Sequence, residues 1–331
     1  MKAIIPVAGA GTQLRPHTYT QPKALIPVGG KAIISVIVDQ LKEAGIKEFV
    51  FVIGYLGDKI KSFIEATYPK LTTHFVVQQE RKGIGQAVWL TREIFNEPED
   101  AIIVLGDSVF ELSLEDLIGT VHSALGIKKV DDPRAFGVAD FDEENLISSV
   151  VEKPIIPKSN MALVGIYKIN DMDSLFQALQ HNIDNNLQTM DEFQLTDGIQ
   201  HMIEQGHQFE GFIVSNWFDC GRKDSLLSAN AILLRKNLQV KASPHKFENS
   251  IIVDPVSIGK GVEINNSIIG PNVVIGEKTK IEHSIIQNSI IGSYASIVHA
   301  SLYDSVIGSD TSITDASQSL NIGDNTEIDF S

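Results

Sequence analysis

Near the C-terminal end of the chain an isoleucine returns roughly every six residues. Ile252, Ile258 and Ile264 are followed by Ile269, Ile275 and Ile281, then Ile291 and Ile297, then Ile307 and Ile313. That period is neither the 3.6 of a helix nor the 2.0 of a strand. Hexapeptide repeats of this kind predict a parallel β-helix, here a short left-handed one, whose aliphatic side chains stack inside each coil. Ser-Ile-Ile-Gly and Ser-Val-Ile-Gly variants keep the apolar positions in step. Lys241-Ala242-Ser243-Pro244-His245-Lys246 reads as a linker, so two domains are expected, 1–240 and 241–331. His283 and His299 lie within the repeats, and many hexapeptide-repeat proteins are acyltransferases with a catalytic histidine. A lone histidine in a coil is more often a surface residue, and no acyl-carrier-binding extension follows. The repeats therefore read as a scaffold or a subunit contact, and a homo-oligomer is expected.

The N-terminal part has a different rhythm. Strand-like runs at Ala3 to Pro6, Phe49 to Ile53, His74 to Val77 and Ala101 to Leu105 alternate with helical stretches at Ile33 to Ala44, Lys59 to Ala66 and Gln86 to Phe95. This β-α-β-α order predicts an α/β, Rossmann-like mixed sheet, mostly parallel, with helices on both faces. In such sheets ligands bind beyond the carboxyl ends of the strands. From Asp131 to Phe218 the pattern loosens, and Arg222 to Leu238 reads as an amphipathic helix. A hydrophobic content of 43% and a charged content of 21% in 331 residues fit an ordinary globular chain. The net charge of -15 argues against nucleic acid or an anionic membrane as the main partner. With a single cysteine, Cys220, and no signal-like start or spanning apolar run, a cytoplasmic protein is expected. Cys220 itself reads as a small buried residue.

Directly after the first strand comes Pro6-Val7-Ala8-Gly9-Ala10-Gly11-Thr12-Gln13-Leu14-Arg15-Pro16-His17-Thr18, continued by Gln21-Pro22-Lys23-Ala24-Leu25-Ile26-Pro27-Val28. Glycines at a strand end let backbone N–H groups approach an anion, and Arg15 and Lys23 supply positive charge. Gly9-x-Gly11 has neither the third glycine of a dinucleotide fingerprint nor the Gly-Lys-Ser/Thr of a P-loop. The longer pattern Gly-x-Gly-Thr-x-x-x-Pro-x-Thr-x-x-x-Pro-Lys-x-x-x-Pro-Val resembles the signature of the sugar-1-phosphate nucleotidyltransferases. One departure is evident: Gln13 stands where that family usually has Arg.

Further segments resemble the family in order along the chain. Gln78 and Gly83, in Gln78-Gln79-Glu80-Arg81-Lys82-Gly83, match the base-reading pair of thymidylyl- and uridylyltransferases. A carboxamide can donate to a pyrimidine O4 and accept from its N3–H. Asp107, after Ile102-Ile103-Val104-Leu105-Gly106, matches a Mg2+ ligand. Gly137, in Ala135-Phe136-Gly137-Val138-Ala139, and Gly165, in Ala162-Leu163-Val164-Gly165-Ile166-Tyr167, match positions lining the sugar pocket. Glu152-Lys153-Pro154 matches a pair in which Glu binds sugar hydroxyls and Lys the sugar phosphate. Asp219, in Trp217-Phe218-Asp219-Cys220-Gly221, matches the second metal ligand. Met190 to Asp197 resembles a segment leading into a helix, with no catalytic role assigned.

The resemblance implies a Mg2+-dependent enzyme that joins a sugar 1-phosphate to a nucleoside triphosphate and releases pyrophosphate. Ala8, Gly9, Gly11, Thr12, Gln13 and Arg15 would hold the triphosphate, with Gln78 and Gly83 at the base. Lys23 would face the nucleotide phosphates, and Asp107 and Asp219 the metal. Gly137, Glu152, Lys153 and Gly165 would take the sugar 1-phosphate. Gln78 and Gly83 favour dTTP or UTP, with glucose 1-phosphate as the default sugar. A guanylyl- or adenylyltransferase using mannose or glucose 1-phosphate, a bifunctional acetyl- and nucleotidyltransferase, and a non-catalytic nucleotide-sugar-binding homologue remain open. Gln13 is the main support for the last. Arg15 or Lys31 is expected to take over part of the charge that Gln13 lacks.

Overall fold

A computed structural model describes residues 1–95, 98–238, 247 and 249–329. The linker read from Lys241 to Lys246 lies outside these. By its contacts the chain forms two compact units, Met1–Gly9 with Ile37–Trp217, and Ala10–Val36 with Phe218–Ser331.

The first unit is built on a nine-stranded sheet. Four strands run parallel across it in the order Thr72–Val77, Glu48–Ile53, Lys2–Pro6 and Ala101–Val104. Ala3, Ile4 and Ile5 are all fully buried, as are Ile102, Ile103 and Val104. Unbroken burial along a strand means that both faces of the sheet are covered, the arrangement expected where helices connect parallel strands. Beyond Ala101–Val104 the pairing turns antiparallel, apart from Phe209–Ile213, which runs parallel to Ser123–Lys129. The long strand Met161–Ile169 pairs with it and with Ser123–Lys129 and Gly137–Phe141, while Ile147–Glu152 closes a hairpin on Gly137–Phe141. The mixed sheet expected from the alternation is therefore present, with its parallel half N-terminal.

One helix is shorter than expected. The segment from Gln86 to Phe95 forms a helix only over Ile84–Trp89, followed by a 3-10 turn at Arg92–Ile94. The Thr91 hydroxyl donates to the Val88 carbonyl (2.7 Å), a local bond that competes with continuing the helix.

In the second unit residues 251–329 wind into three five-stranded parallel sheets, the architecture of a left-handed parallel β-helix. Ile252, Ile269, Ile286 and Leu302 are in register along one sheet, Ile258, Ile275, Ile291 and Ile307 along the second, and Ile264, Ile281, Ile297 and Ile313 along the third. Coils shorten from 17 residues (Ile252 to Ile269) to 15 (Ile307 to Ile322). Asn266, His283, His299 and Asp315 hold equivalent corners with φ between 48° and 58°. Asn, Asp and His all enter this left-handed region more readily than most residues, and both histidines do so here at exposed bends. His283 and His299 are thus surface corner residues with ring centroids 5.0 Å apart. Inside, buried Ser284 donates to the Glu282 carbonyl (2.7 Å) and accepts from the Ala300 N–H (3.0 Å), so its burial leaves no orphaned hydroxyl.

Candidate active site

The glycine-rich loop begins in the first unit and continues in the second. Ala8 is packed against Gly54, where an added Cβ would lie 2.9 Å from both the Ala8 Cβ and its carbonyl oxygen. Gly9 is exposed, with open space where a side chain would stand. Within the second unit, Gly11 adopts φ +60°, and an added Cβ would meet Lys23 Cβ and Thr18 Cγ2, each at 2.9 Å. The Thr18 hydroxyl donates to the Gly11 carbonyl (2.8 Å), as does the Leu14 N–H (3.0 Å). A turn this tight holds the exposed Thr12 and Gln13 at the surface of the loop. Arg15 is exposed too, its guanidinium 5.0 Å from the centre of the Tyr19 ring.

The same unit brings Lys23 to Asp219, with Nζ 3.8 Å from Oδ1. Asp219 Oδ1 also accepts from the Gly221 N–H (2.9 Å). A Cβ at Gly221 would lie 2.9 Å from Lys23 Nζ and 2.8 Å from Asp219 Oδ1, so glycine there lets the ion pair form. Cys220, between them, is fully buried and its thiol donates weakly to the Phe218 carbonyl (3.8 Å).

Within the first unit, Gln78 directly follows the strand Thr72–Val77, is 6% exposed, and its side-chain nitrogen donates to the Gly83 carbonyl (3.0 Å) and to Gln86 Oε1 (2.8 Å). With its amide protons engaged in this way, Gln78 offers its oxygen as an acceptor. Gly83 has φ +103°, and an added Cβ would come within 2.5 Å of the Phe193 carbonyl oxygen. The segment around Phe193 is sewn to this loop, since Phe193 N–H donates to Lys82 O and Gly85 N–H to Phe193 O (both 2.8 Å). Met190 to Asp197, given no catalytic role from sequence, thus supports the Gln78–Gly83 loop.

Asp107 follows the buried strand Ala101–Val104 and is positioned by two glycines. Leu105 N–H donates to Gly165 O (2.8 Å), and Gly165, at φ +86°, would with a Cβ press on Leu105 Cδ1 and Ser108 Oγ at 2.9 Å. At Gly106 a Cβ would overlap Val7 Cγ1 at 2.2 Å. Burial, then the negative charges of Glu152 and Asp107, raise the Tyr167 phenol above its ordinary range. The charges of Asp107 and Glu152, residues 45 positions apart in the chain (107 and 152), thus both oppose ionisation of this buried tyrosine.

Glu152 is held from two sides: the Thr196 hydroxyl donates to its Oε2 (2.7 Å), and Lys153 Nζ lies 3.7 Å from its Oε1. A Cβ at Gly137 would come within 3.2 Å of Glu152 Oε2 and 3.4 Å of Thr196 Oγ1. Lys153 takes φ +42°, and its N–H donates to Phe136 O (3.0 Å), which turns the chain away from the strand. Phe136 packs edge-on against Trp217 at 4.8 Å. Thr196 was missed from sequence. It lies in the first turn of the helix Leu195–Glu204, within the segment given no catalytic role from sequence, and its hydroxyl is spent on Glu152.

Residues 2–236 match the family described as Nucleotidyl transferase. The chain belongs to this family. Among curated relatives of this nucleotidyltransferase, the low-salt glycan biosynthesis nucleotidyltransferase Agl11 of Haloferax volcanii is 30% identical over 249 residues, covering 71% of this chain and 66% of that protein. The chain thus spans just under two thirds of that relative's length. A glucose-1-phosphate thymidylyltransferase of Streptomyces griseus is 28% identical over 315 residues, covering 88% of this chain and 86% of that protein. The fold matches a UDP-glucose pyrophosphorylase solved in complex with UDP-glucose, with a TM-score of 0.60, 24% identity, 71% of this chain and 98% of that one covered. Among the described residues no helix is long and apolar enough to cross a membrane.

Proposed function

We propose that this nucleotidyltransferase joins a sugar 1-phosphate, with glucose 1-phosphate preferred, to dTTP or UTP. The observation that carries the base preference is the Gln78 carboxamide, fixed by Gly83 and Gln86 so that an acceptor oxygen remains for an imide N3–H. The similarity to a glucose-1-phosphate thymidylyltransferase, which extends over most of the chain, supports the same choice.

In this reading a phosphate oxygen of the sugar 1-phosphate attacks the α-phosphorus. A new phosphorus–oxygen bond forms, the bond to the bridging β-oxygen breaks, and pyrophosphate leaves. The residues chiefly position the two anions and balance their charge. Ala8, Gly9, Gly11, Thr12, Gln13 and Arg15 serve the triphosphate, and Lys23 its charge. Glu152, held by Thr196, takes sugar hydroxyls beside Gly137 and Gly165, while Lys153 takes the sugar phosphate. Among the described residues no three His, Cys, Asp or Glu side chains gather into a metal cage. Mg2+ does not need one, because it retains waters and shares ligands with substrate phosphates. The carboxylates of Asp107 and Asp219 suit a hard cation, which when bound neutralises charge on the α-phosphate and the departing pyrophosphate. A panel of dTTP, UTP, GTP and ATP against glucose and mannose 1-phosphate, read by pyrophosphate release, tests this function. Turnover with a pyrimidine nucleotide and glucose 1-phosphate is expected, and turnover confined to GTP or ATP would overturn the base assignment.

Two substitutions probe separate parts of the site. Arg15→Ala should raise the apparent KM for the nucleotide about 5-fold, the size expected for losing one charge-assisted contact at an exposed position. If Arg15→Ala changes nothing while Gln13→Arg speeds turnover strongly, Arg15 does not stand in for the family's arginine. Thr196→Val removes the hydroxyl that holds Glu152 and should raise the KM for the sugar 1-phosphate by about 5- to 10-fold. The nucleotide KM serves as the internal control and should stay near wild type.

A further inference from the structure

The second unit contains both the loop Ala10–Val36 and the β-helix, and the last coil of the β-helix touches that loop at three consecutive places. His17 is 7% exposed, and its Nε2 lies 2.8 Å from Asn321 Oδ1. The Thr20 hydroxyl donates to the Asp324 carboxylate. Between them, Gly323 lies so close to Pro16 that an added Cβ would stand 3.0 Å from Pro16 Cβ. The partners His17 and Asn321 are 304 positions apart in the chain, as are Thr20 and Asp324.

These contacts flank the tight part of the loop. Thr18, between His17 and Thr20, bonds the Gly11 carbonyl and packs with Lys23 over the Gly11 Cα. Order imposed on His17 and Thr20 is therefore transmitted through one side chain to Gly11, and through three more residues of backbone to Lys23. Burial lowers the His17 imidazole's pKa more than Asn321 and Asp324 raise it, so the ring is neutral and carries one N–H. Donated from Nε2, that proton meets the carboxamide oxygen of Asn321, a directional bond in a position where an unmet imidazole would be costly.

We propose that the terminal coil of the β-helix, through Asn321 and Asp324, is a positioning element for the nucleotide-binding loop, so that this domain sets nucleotide affinity as well as serving as a scaffold. The proposal rests on the reading of Gly11 to Lys23 as the triphosphate loop. His17, Thr20, Asn321 and Asp324 are positioning residues, since they act through Thr18, Gly11 and Lys23.

The test uses the full chain carrying Asn321→Leu, Asp324→Ala, or the conservative Asn321→Asp, which retains an oxygen acceptor for His17. Hydrogen exchange of peptides covering residues 11–25 should accelerate about 10-fold in the first two variants while peptides of the central β-helix coils change little. The KM for the nucleotide should rise about 5- to 10-fold, with kcat and the sugar 1-phosphate KM within about 2-fold of wild type. Asn321→Asp should restore both measurements. Unchanged exchange over 11–25 in both disruptive variants overturns the proposal, and so does faster exchange with an unchanged nucleotide KM. If the wild-type protein turns over none of the substrate pairs, the functional reading fails. The exchange experiment alone then decides whether the terminal coil orders the loop.

Discussion

Asp107→Ala is expected to abolish pyrophosphate release, with kcat falling by about 10³-fold or more, as for loss of a group that stabilises charge in phosphoryl transfer. The backbone leading to Asp107 is closely held. It follows a strand with no exposed residue, is bonded through Leu105 to Gly165, and is closed in at Gly106 by Val7. The Tyr167 phenol stays protonated, because burial and the charges of Glu152 and Asp107 oppose its ionisation, and so adds no charge of its own. Asp107→Asn keeps the side-chain shape and removes the charge, so it separates a metal role from a packing role. It should be nearly as inactive as the alanine variant while melting near the wild-type temperature. Full activity in either variant would sink the metal assignment, and raising Mg2+ concentration should recover only part of the loss.

Gly83→Ala is expected to have the second largest effect. The glycine's φ of +103° with ψ of 171° lies in a region that costs other residues about 1–3 kcal/mol. The new methyl would also meet main-chain atoms of Phe193, with the oxygen at 2.5 Å and the nitrogen at 2.9 Å, and main chain cannot rotate aside as a side-chain tip can. Relief requires parting the Gln78 loop from the segment around Phe193 and breaking the bonds at Lys82 and Gly85. Adding strain and lost bonds gives an increase of about 100-fold in the nucleotide KM, with a much smaller change in that for the sugar 1-phosphate. Equal losses for both substrates would show that the damage is global rather than confined to the base-reading loop.

Much of this arrangement was legible in the sequence, for reasons that differ between its two ends. Parallel strands such as Ala101–Val104 are buried on both faces, so their apolar runs announce themselves. The six-residue spacing of Ile252, Ile258 and Ile264 assigned one isoleucine to each face of the β-helix, because one coil is three short strands. Ile286 and Leu302 complete the first face, each five residues after the isoleucine of the third face that precedes it, Ile281 and Ile297. Contacts between remote side chains left no such trace. The Thr196 hydroxyl on Glu152, and the backbone of Phe193 against Gly83, depend on how a helix entry packs beside a hairpin and a loop. The bond from His17 to Asn321 joins the two ends of the chain, and neither residue type carries a pattern that points to the other. A local helix signal also misled: the apolar spacing from Gln86 to Phe95 continued past Trp89, but the Thr91 hydroxyl captured the carbonyl of Val88.

Transfer to glucose 1-phosphate is tested most directly by incubating the purified protein with glucose 1-phosphate, Mg2+ and equal amounts of dTTP and UTP, and measuring nucleotide sugars and pyrophosphate together by mass spectrometry. dTDP-glucose, UDP-glucose or both are expected, formed in equal amount to the pyrophosphate released. Nucleotide-sugar binding without any product, or pyrophosphate released without a matching nucleotide sugar, would contradict it.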